Sequence, residues 1–198
     1  GQIPVVISLH ATKAFATGEG GAVAADDIEL VQRVGRALNF GIQDVRDCLM
    51  PSTNGKMSEY HAAVGLAELD EWPQKLAALT RVADRYAGLM AAAGMADRLF
   101  AAPDIAPNYV LFRCKDAAES KRICGALRRK GIDSRQWYGR GIHHETYYRE
   151  LPRGNLAETD RLAPNLLGLP VAPDLSDALV AKIVAVLRAT AGTNSGSS

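Results

Sequence analysis

The opening of the chain places a lysine in a short loop between two predicted β-strands. Residues 3–9 form a short run rich in β-branched side chains, which is typical of a buried strand. Residues 21–25 indicate a second short strand, so Lys13 lies in the tight connection between the two. An uncharged amine held there, near the Ser8 hydroxyl and the His10 imidazole, can form a Schiff base with an aldehyde cofactor.

Composition excludes several classes of protein. The 198 residues suffice for one large or two small domains, and an apolar content of 47% allows a core to be buried. With 23 basic and 22 acidic residues and no basic stripe, neither nucleic acid nor a membrane surface is an expected partner. The three cysteines lack metal-ligand spacing, and neither a signal peptide nor a long apolar run is present. We therefore expect a cytoplasmic protein.

The next segment predicts a capped helix and then an irregular loop. Asp26 is expected to cap a helix over residues 27–38, with Glu29 completing a capping box. The apolar residues of that helix recur on one face. Residues 41–56 have no clear period and are predicted to form a loop.

Two helices are predicted around a proline. Ser58 is expected to cap a helix over residues 59–72, whose small side chains suggest that it is packed on both sides. Pro73 is expected to interrupt or kink this pattern, and a long helix over residues 74–93 follows.

The remainder of the chain reads as an α+β unit. Leu175 and Val180 are expected to form a hydrophobic staple around the Ser176 cap of the last helix, which is predicted to end near Ala189. Strands are predicted at 108–114 and 133–138, helices at 117–130 and 157–167, a short helix at 147–149 and an extended segment at 169–173.

Other polar residues are candidates for binding rather than catalysis. Asn54 and Lys56 precede a helix, where both side chains could donate to a phosphate group. Ser8 could do the same, although its hydroxyl could instead satisfy local backbone groups, and His10 could be a cofactor neighbour or a structural histidine. His143 and His144 are adjacent, so their side chains are expected to diverge, and no metal site is predicted.

Several motifs resemble the DegT/DnrJ/EryC1/StrS family of pyridoxal-phosphate-dependent sugar aminotransferases. The hallmark S-F-H-x-T-K is matched by residues 8–13, with Leu9 in place of phenylalanine, and the T-G-E-G-G turn by residues 17–21. The family's N-x-R-M-S-E segment is similar to residues 54–59. The I-H…Y-Y-R and L-P-x-x-P-x-L-S motifs resemble residues 142–149 and 169–176.

The resemblance implies roles for the candidate residues. Lys13 would carry the pyridoxal 5'-phosphate and later move a proton at the substrate carbon, and Ser8 would bind the cofactor phosphate. His10 would lie near the cofactor. Asn54 would reach the cofactor of the neighbouring subunit, because such sites are shared across a homodimer. Lys56 replaces the usual arginine, so the charge is retained while the bidentate fork is lost.

The resemblance also implies an α/β fold, the C-terminal part of fold type I, the aspartate aminotransferase-like fold. Residues 1–73 would end the large cofactor-binding domain, 74–94 would form a linking helix, 95–191 a small α+β domain and 192–198 a flexible tail. The family region that stacks on the cofactor ring and pairs with its nitrogen is not found in this sequence.

Three functional hypotheses follow from the sequence. The first is an aminotransferase fragment that moves an amino group, from a donor such as glutamate, to a keto carbon of a nucleotide-linked sugar in polysaccharide or antibiotic sugar biosynthesis. The second is a non-catalytic half or split subunit of such an enzyme, acting as a scaffold or dimer partner. The third, a stand-alone phosphate-binding domain, is disfavoured because no strand–loop–helix glycine signature is present.

Overall fold

The protein is described by a computed structural model that covers residues 3–44, 46–100, 106–136 and 139–191. The chain divides into two compact units, Gly1–Gln74 and Lys75–Ser198. The functional roles assigned to the predicted domains stay predictions. Two of the predicted strand residues, Trp137 and Tyr138, and the predicted tail lie outside the described residues.

The first unit contains the predicted pair of strands. Strand β1 (Val5–Ser8) pairs antiparallel with β2 (Gly21–Ala24), and the register sets Ser8 opposite Gly21. The prediction of two strands around the lysine loop is therefore confirmed. The expected burial of the first strand is wrong, since Val6 is 80% exposed. The described part of this sheet has two strands, too few to bury its apolar side chains.

Helix α1 spans Ile28–Leu38 and is capped one residue later than predicted. The carboxylate of Asp27, not Asp26, accepts a hydrogen bond from the Leu30 N–H at 3.0 Å. The apolar face is present, yet it carries no buried residue, and Ile28 is 71% exposed. After α1, the described residues of the predicted loop, 41–44 and 46–56, form no regular helix or strand.

Helix α2 spans Glu59–Ala92 and contains Pro73 in its interior. The predicted interruption is wrong, because the helix continues through Pro73, and the alternative of a kink stays a prediction. Ser58 caps it as predicted, with its hydroxyl accepting from the His61 N–H at 3.3 Å. The described residues do not cover both sides of this helix, since Ala63 is exposed.

The described residues of the second unit contain an antiparallel sheet of four strands. They are β3 (Leu99–Phe100), β4 (Val110–Arg113), β5 (Arg135–Gln136) and β6 (Leu166–Leu169). Their order in the sheet is β3-β4-β6-β5. Leu166 and Leu167, predicted as helical, belong to β6 and pair with β4, because a 3₁₀ turn containing Pro164 ends the preceding helix.

Besides the end of α2, the described residues of this unit form the helices α3 (Ala117–Arg129), α4 (Ala157–Leu162) and α5 (Asp177–Ala191). The predicted short helix appears as a 3₁₀ turn at Tyr148–Glu150. The Ser176 cap is confirmed, with its hydroxyl accepting from the Leu179 N–H at 3.2 Å.

The core of the second unit is mainly apolar, and Tyr86 and Glu119 are among its buried residues that carry a polar group. The phenol of Tyr86 donates to the Pro170 carbonyl at 3.0 Å, and burial raises the pKa of that phenol. The buried carboxylate of Glu119 binds the Arg98 guanidinium and accepts from the Lys115 N–H at 2.5 Å. The largest fully buried side chains include Val82, Tyr86, Met90, Phe112, Ile123, Leu127, Leu167, Leu169, Ile183 and Leu187.

Within the described ranges, each helix is either too short or too polar to span a bilayer.

Candidate active site

The loop that carries Lys13 is closed by backbone hydrogen bonds. Beyond the paired strands, the Leu9 N–H donates to the Gly20 carbonyl at 3.0 Å and the Ala11 N–H to the Gly18 carbonyl at 2.7 Å. The Lys13 N–H donates to the His10 carbonyl at 2.9 Å. The lysine backbone is therefore fixed relative to the strand ends.

A buried threonine holds the return arm of this loop. Thr17 is 2% exposed, and its hydroxyl lies 2.8 Å from the Glu19 carbonyl and 3.3 Å from the Leu9 carbonyl. Its methyl group packs closely against α2, because a Cβ added at Gly65 would lie 3.1 Å from it. No role for Thr17 is predicted from the sequence, where its only signal is its position directly before the glycine-rich turn.

The loop also contacts the first turns of α2. A Cβ placed on Gly18 would meet the His61 ring at 3.3 Å, so the turn and the helix approach closely. Phe15 packs edge-on against Trp72, with ring centroids 5.3 Å apart. These contacts anchor both sides of the lysine to one helix.

The side chains of Lys13 and Ser8 are not engaged by the rest of the described chain. Lys13 is half-buried and Ser8 is exposed. Among the described residues, neither the amine nor the hydroxyl makes a hydrogen bond or ion pair. A half-buried amine on a fixed loop, with a hydroxyl on the adjoining strand, fits a cofactor that carries both an aldehyde and a phosphate.

His10 is oriented by its neighbours. The Thr12 N–H donates to Nδ1 at 3.2 Å, so a neutral ring carries its proton on Nε2. That nitrogen faces the Glu19 carboxylate at 3.7 Å, and the Thr12 hydroxyl lies 3.0 Å from Nδ1. The ring is exposed, and its two alternatives, cofactor neighbour or structural histidine, both stay open.

Asn54 and Lys56 lie on the irregular segment that follows α1. The Lys56 ammonium donates to the Asn39 side-chain oxygen at 2.7 Å and lies 4.3 Å from the centre of the Phe40 ring. Asn54 is exposed and bridges Asn39 through the backbone. Within the described residues, no hydrogen bond joins either side chain to Lys13 or Ser8, so their role in phosphate binding stays a prediction.

The two adjacent histidines of the second unit do not diverge as expected. Their ring centroids lie 4.2 Å apart, and both Nε2 atoms contact the same oxygen of Asp160. The expectation that adjacent side chains point apart is wrong here because the two residues occupy a 3₁₀ turn, Ile142–His144, rather than an extended strand.

Comparison with known proteins identifies the family to which this chain belongs. The sequence model of the DegT/DnrJ/EryC1/StrS aminotransferase family matches residues 3–188. The chain belongs to this family.

Among curated relatives, protein Rv3402c of Mycobacterium tuberculosis is 34% identical over 188 residues, covering 92% of this chain and 45% of that protein. The dTDP-3-amino-3,4,6-trideoxy-alpha-D-glucose transaminase of Streptomyces venezuelae is 29% identical, covering 86% of this chain and 45% of that protein. This family member therefore spans about half the length of the curated relatives it matches.

Among solved structures, a Bacillus cereus protein assigned as a PLP-dependent aminotransferase superposes with a TM-score of 0.85 at 29% identity. The match covers 93% of this chain and 51% of that protein. The fold is accordingly the α/β fold of type I PLP-dependent aminotransferases, as predicted from the sequence.

Proposed function

We propose that this chain forms part of a pyridoxal-phosphate-dependent aminotransferase that transfers an amino group to a keto carbon of a nucleotide-linked sugar. It would correspond to the C-terminal half of the family's enzymes. Support for the sugar comes from the Streptomyces relative, whose name is that of a dTDP-sugar transaminase. Glutamate as amino donor follows from the family resemblance alone.

The observation that carries the proposal is the setting of Lys13. Its backbone is fixed by a hydrogen bond to His10 in a loop closed across paired strands, while its amine has no partner among the described residues. When bound, pyridoxal phosphate supplies the aldehyde that captures amines and a ring that accepts electrons. Lys13 would hold that group and move the proton at the substrate carbon.

The neighbouring residues would position the cofactor. Ser8, at the end of β1, would donate its hydroxyl to the phosphate without adding charge. His10, held by Thr12, would present its Nε2 side toward Glu19 and a ring edge toward the cofactor. Asn54 and Lys56 would serve the phosphate of a neighbouring subunit, which makes a homodimer part of the proposal. A cytoplasmic location stays a prediction from the sequence.

The experiment assembles the chain with the amino-terminal half of a family member and follows transfer from glutamate to a nucleotide-linked keto sugar. Lys13→Ala should abolish turnover, while Lys75→Ala, outside the first unit, should leave it unchanged. Equal activity of wild type and Lys13→Ala would contradict the proposal. The Lys75 control guards against a general effect of losing a positive charge.

A second candidate function is that of a non-catalytic half that pairs with another chain. It is favoured by the exposure of the predicted phosphate ligands Ser8 and Asn54. It predicts a stable complex with an amino-terminal half whose stability does not depend on pyridoxal phosphate or on Lys13. The assembly experiment distinguishes the two functions, because a scaffold would bind the amino-terminal half without catalysing turnover.

A further inference from the structure

We propose that His143, His144 and Asp160 form a binding site for a divalent transition metal of the zinc class. The three candidate ligand atoms, Nε2 of each imidazole and Oδ1 of the carboxylate, lie within 4.8 Å of one another. Two imidazoles and one carboxylate are a donor set typical of zinc, cobalt, nickel or copper rather than of magnesium or calcium. This site is independent of the proposed transaminase function.

The two nitrogens already converge on one point. The Nε2 atoms of His143 and His144 lie 2.9 and 2.6 Å from the same Oδ1 of Asp160. A tetrahedral centre with bonds of about 2.0–2.1 Å separates its ligand atoms by about 3.3 Å. The two distances from Nε2 to Oδ1 would therefore need to lengthen by less than about 1 Å, which the half-exposed side chain of Asp160 permits.

The ring of His143 is held in place before any metal arrives. It is buried, and it packs against the backbone of Gly141, where an added Cβ would lie 2.6 Å from the ring carbon Cε1. Gly141 also has a φ of +103°, a conformation that favours glycine. One ligand is thus fixed by the fold, while the other two can adjust around an incoming ion.

The site would join two separate segments. The histidines belong to the 3₁₀ turn Ile142–His144, and Asp160 belongs to α4. Residues 145–155 between them are exposed. A metal bridging the turn and the helix would close this segment and stabilise the folded second unit, and its open coordination position would be taken by water.

The test uses the full chain without an affinity tag, stripped with a chelator and titrated with Co²⁺ as a spectroscopic substitute for Zn²⁺. One equivalent should bind, produce the visible absorption of tetrahedral cobalt and be displaced by Zn²⁺. Zn²⁺ should also raise the melting temperature. Binding should weaken from pH 7.5 to pH 5, because imidazole must be neutral to bind a metal.

Variants then assign the ligands. His144→Gln and Asp160→Asn should each weaken Co²⁺ binding at least about 10-fold, with circular dichroism confirming that they are folded. Asp160→Glu, which keeps the carboxylate, should retain part of the affinity. Glu158→Gln removes a carboxylate from the same helix, and Cys48→Ser removes an exposed thiol; both should bind as wild type.

Three results would overturn the proposal. The first is the absence of saturable binding to the wild-type chain at neutral pH. The second is binding that survives in the double variant His144→Gln/Asp160→Asn, and the third is binding that disappears in Cys48→Ser. In each case the cluster is a hydrogen-bonded pair of histidines around one carboxylate, without a metal.

Discussion

Gly20 is the position where one methyl group should most disturb the lysine loop. Its φ is +145°, a conformation that costs a residue with a side chain roughly 1–3 kcal/mol. An added Cβ would lie 2.5 Å from Cε of Met57 and 3.0 Å from Oγ1 of Thr17. The Met57 chain end can move, but the Thr17 hydroxyl is held by the Glu19 carbonyl. We therefore expect Gly20→Ala to destabilise the first unit by about 2–4 kcal/mol.

The assay follows the fluorescence of Trp72, which packs on Phe15 within the same unit. The chain has two tryptophans, so the experiment uses a Trp137→Phe background and urea denaturation. Gly35→Ala is the matched control, because no atom lies within 4 Å of its added Cβ and it lies inside α1. That control should be stabilising by about 0.5–1 kcal/mol. A Gly20→Ala variant as stable as wild type would refute the reasoning.

Four further predictions concern the second unit. Glu119→Ala should cost about 3–5 kcal/mol in urea unfolding, because it leaves Arg98 without its buried partner. Glu158→Ala, which removes an exposed ion pair with Arg161, should be far less destabilising, and similar losses in both variants would contradict this. Tyr86→Phe should cost about 1–2 kcal/mol by the same measurement, since the Pro170 carbonyl loses its donor, and a neutral result would count against that bond. Burial, followed by the charge of Glu119, raises the pKa of the Cys114 thiol to about 12. Iodoacetamide at pH 8 should therefore label the exposed Cys48 before Cys114, as measured by peptide mass spectrometry, and equal labelling rates of the two thiols would contradict this. Hydrogen bonds from His144 and His143 lower the pKa of Asp160 from its ordinary value of 3.8. This carboxylate therefore stabilises the fold above pH 3.8, and the stabilisation is lost as the pH falls through the lowered pKa. The urea midpoint of Asp160→Asn should approach that of wild type only in this acidic range.

The hairpin around Lys13 could be predicted because local signals agree. The β-branched residues of β1, the glycines before β2 and the intervening lysine all indicate two short strands and a tight loop. The helix caps at Ser58 and Ser176 were also found, because a hydroxyl before an apolar-periodic run has a local cause. These features depend on residues close in sequence.

The predictions of secondary structure were wrong where the structure depends on residues distant in sequence, or where two adjacent residues could play the same role. Asp26 and Asp27 are both able to cap, and the choice was made by backbone conformation. Leu166 and Leu167 suit either a helix or a strand, and pairing with β4 decided between them. The expected interruption at Pro73 is not observed because α2 runs for 34 residues, and its other turns keep the helix continuous despite the lost donor and the clash of the proline ring.

The candidate site was only partly accessible from sequence. A motif located Lys13, but the burial of Thr17 and the pairing of Lys56 with Asn39 depend on how the loops fold back. The convergence of His143 and His144 on Asp160 joins residues 16 and 17 positions apart, which no spacing rule indicated.

The most direct test of the account is chemical trapping of the cofactor. The chain, assembled with an amino-terminal half of a family member, is incubated with pyridoxal phosphate, reduced with borohydride and digested for peptide mass spectrometry. The account predicts one reduced phosphopyridoxyl adduct, on Lys13, that is absent from Lys13→Ala and retained in Lys56→Ala. An adduct spread over several surface lysines, or none on Lys13, would contradict it.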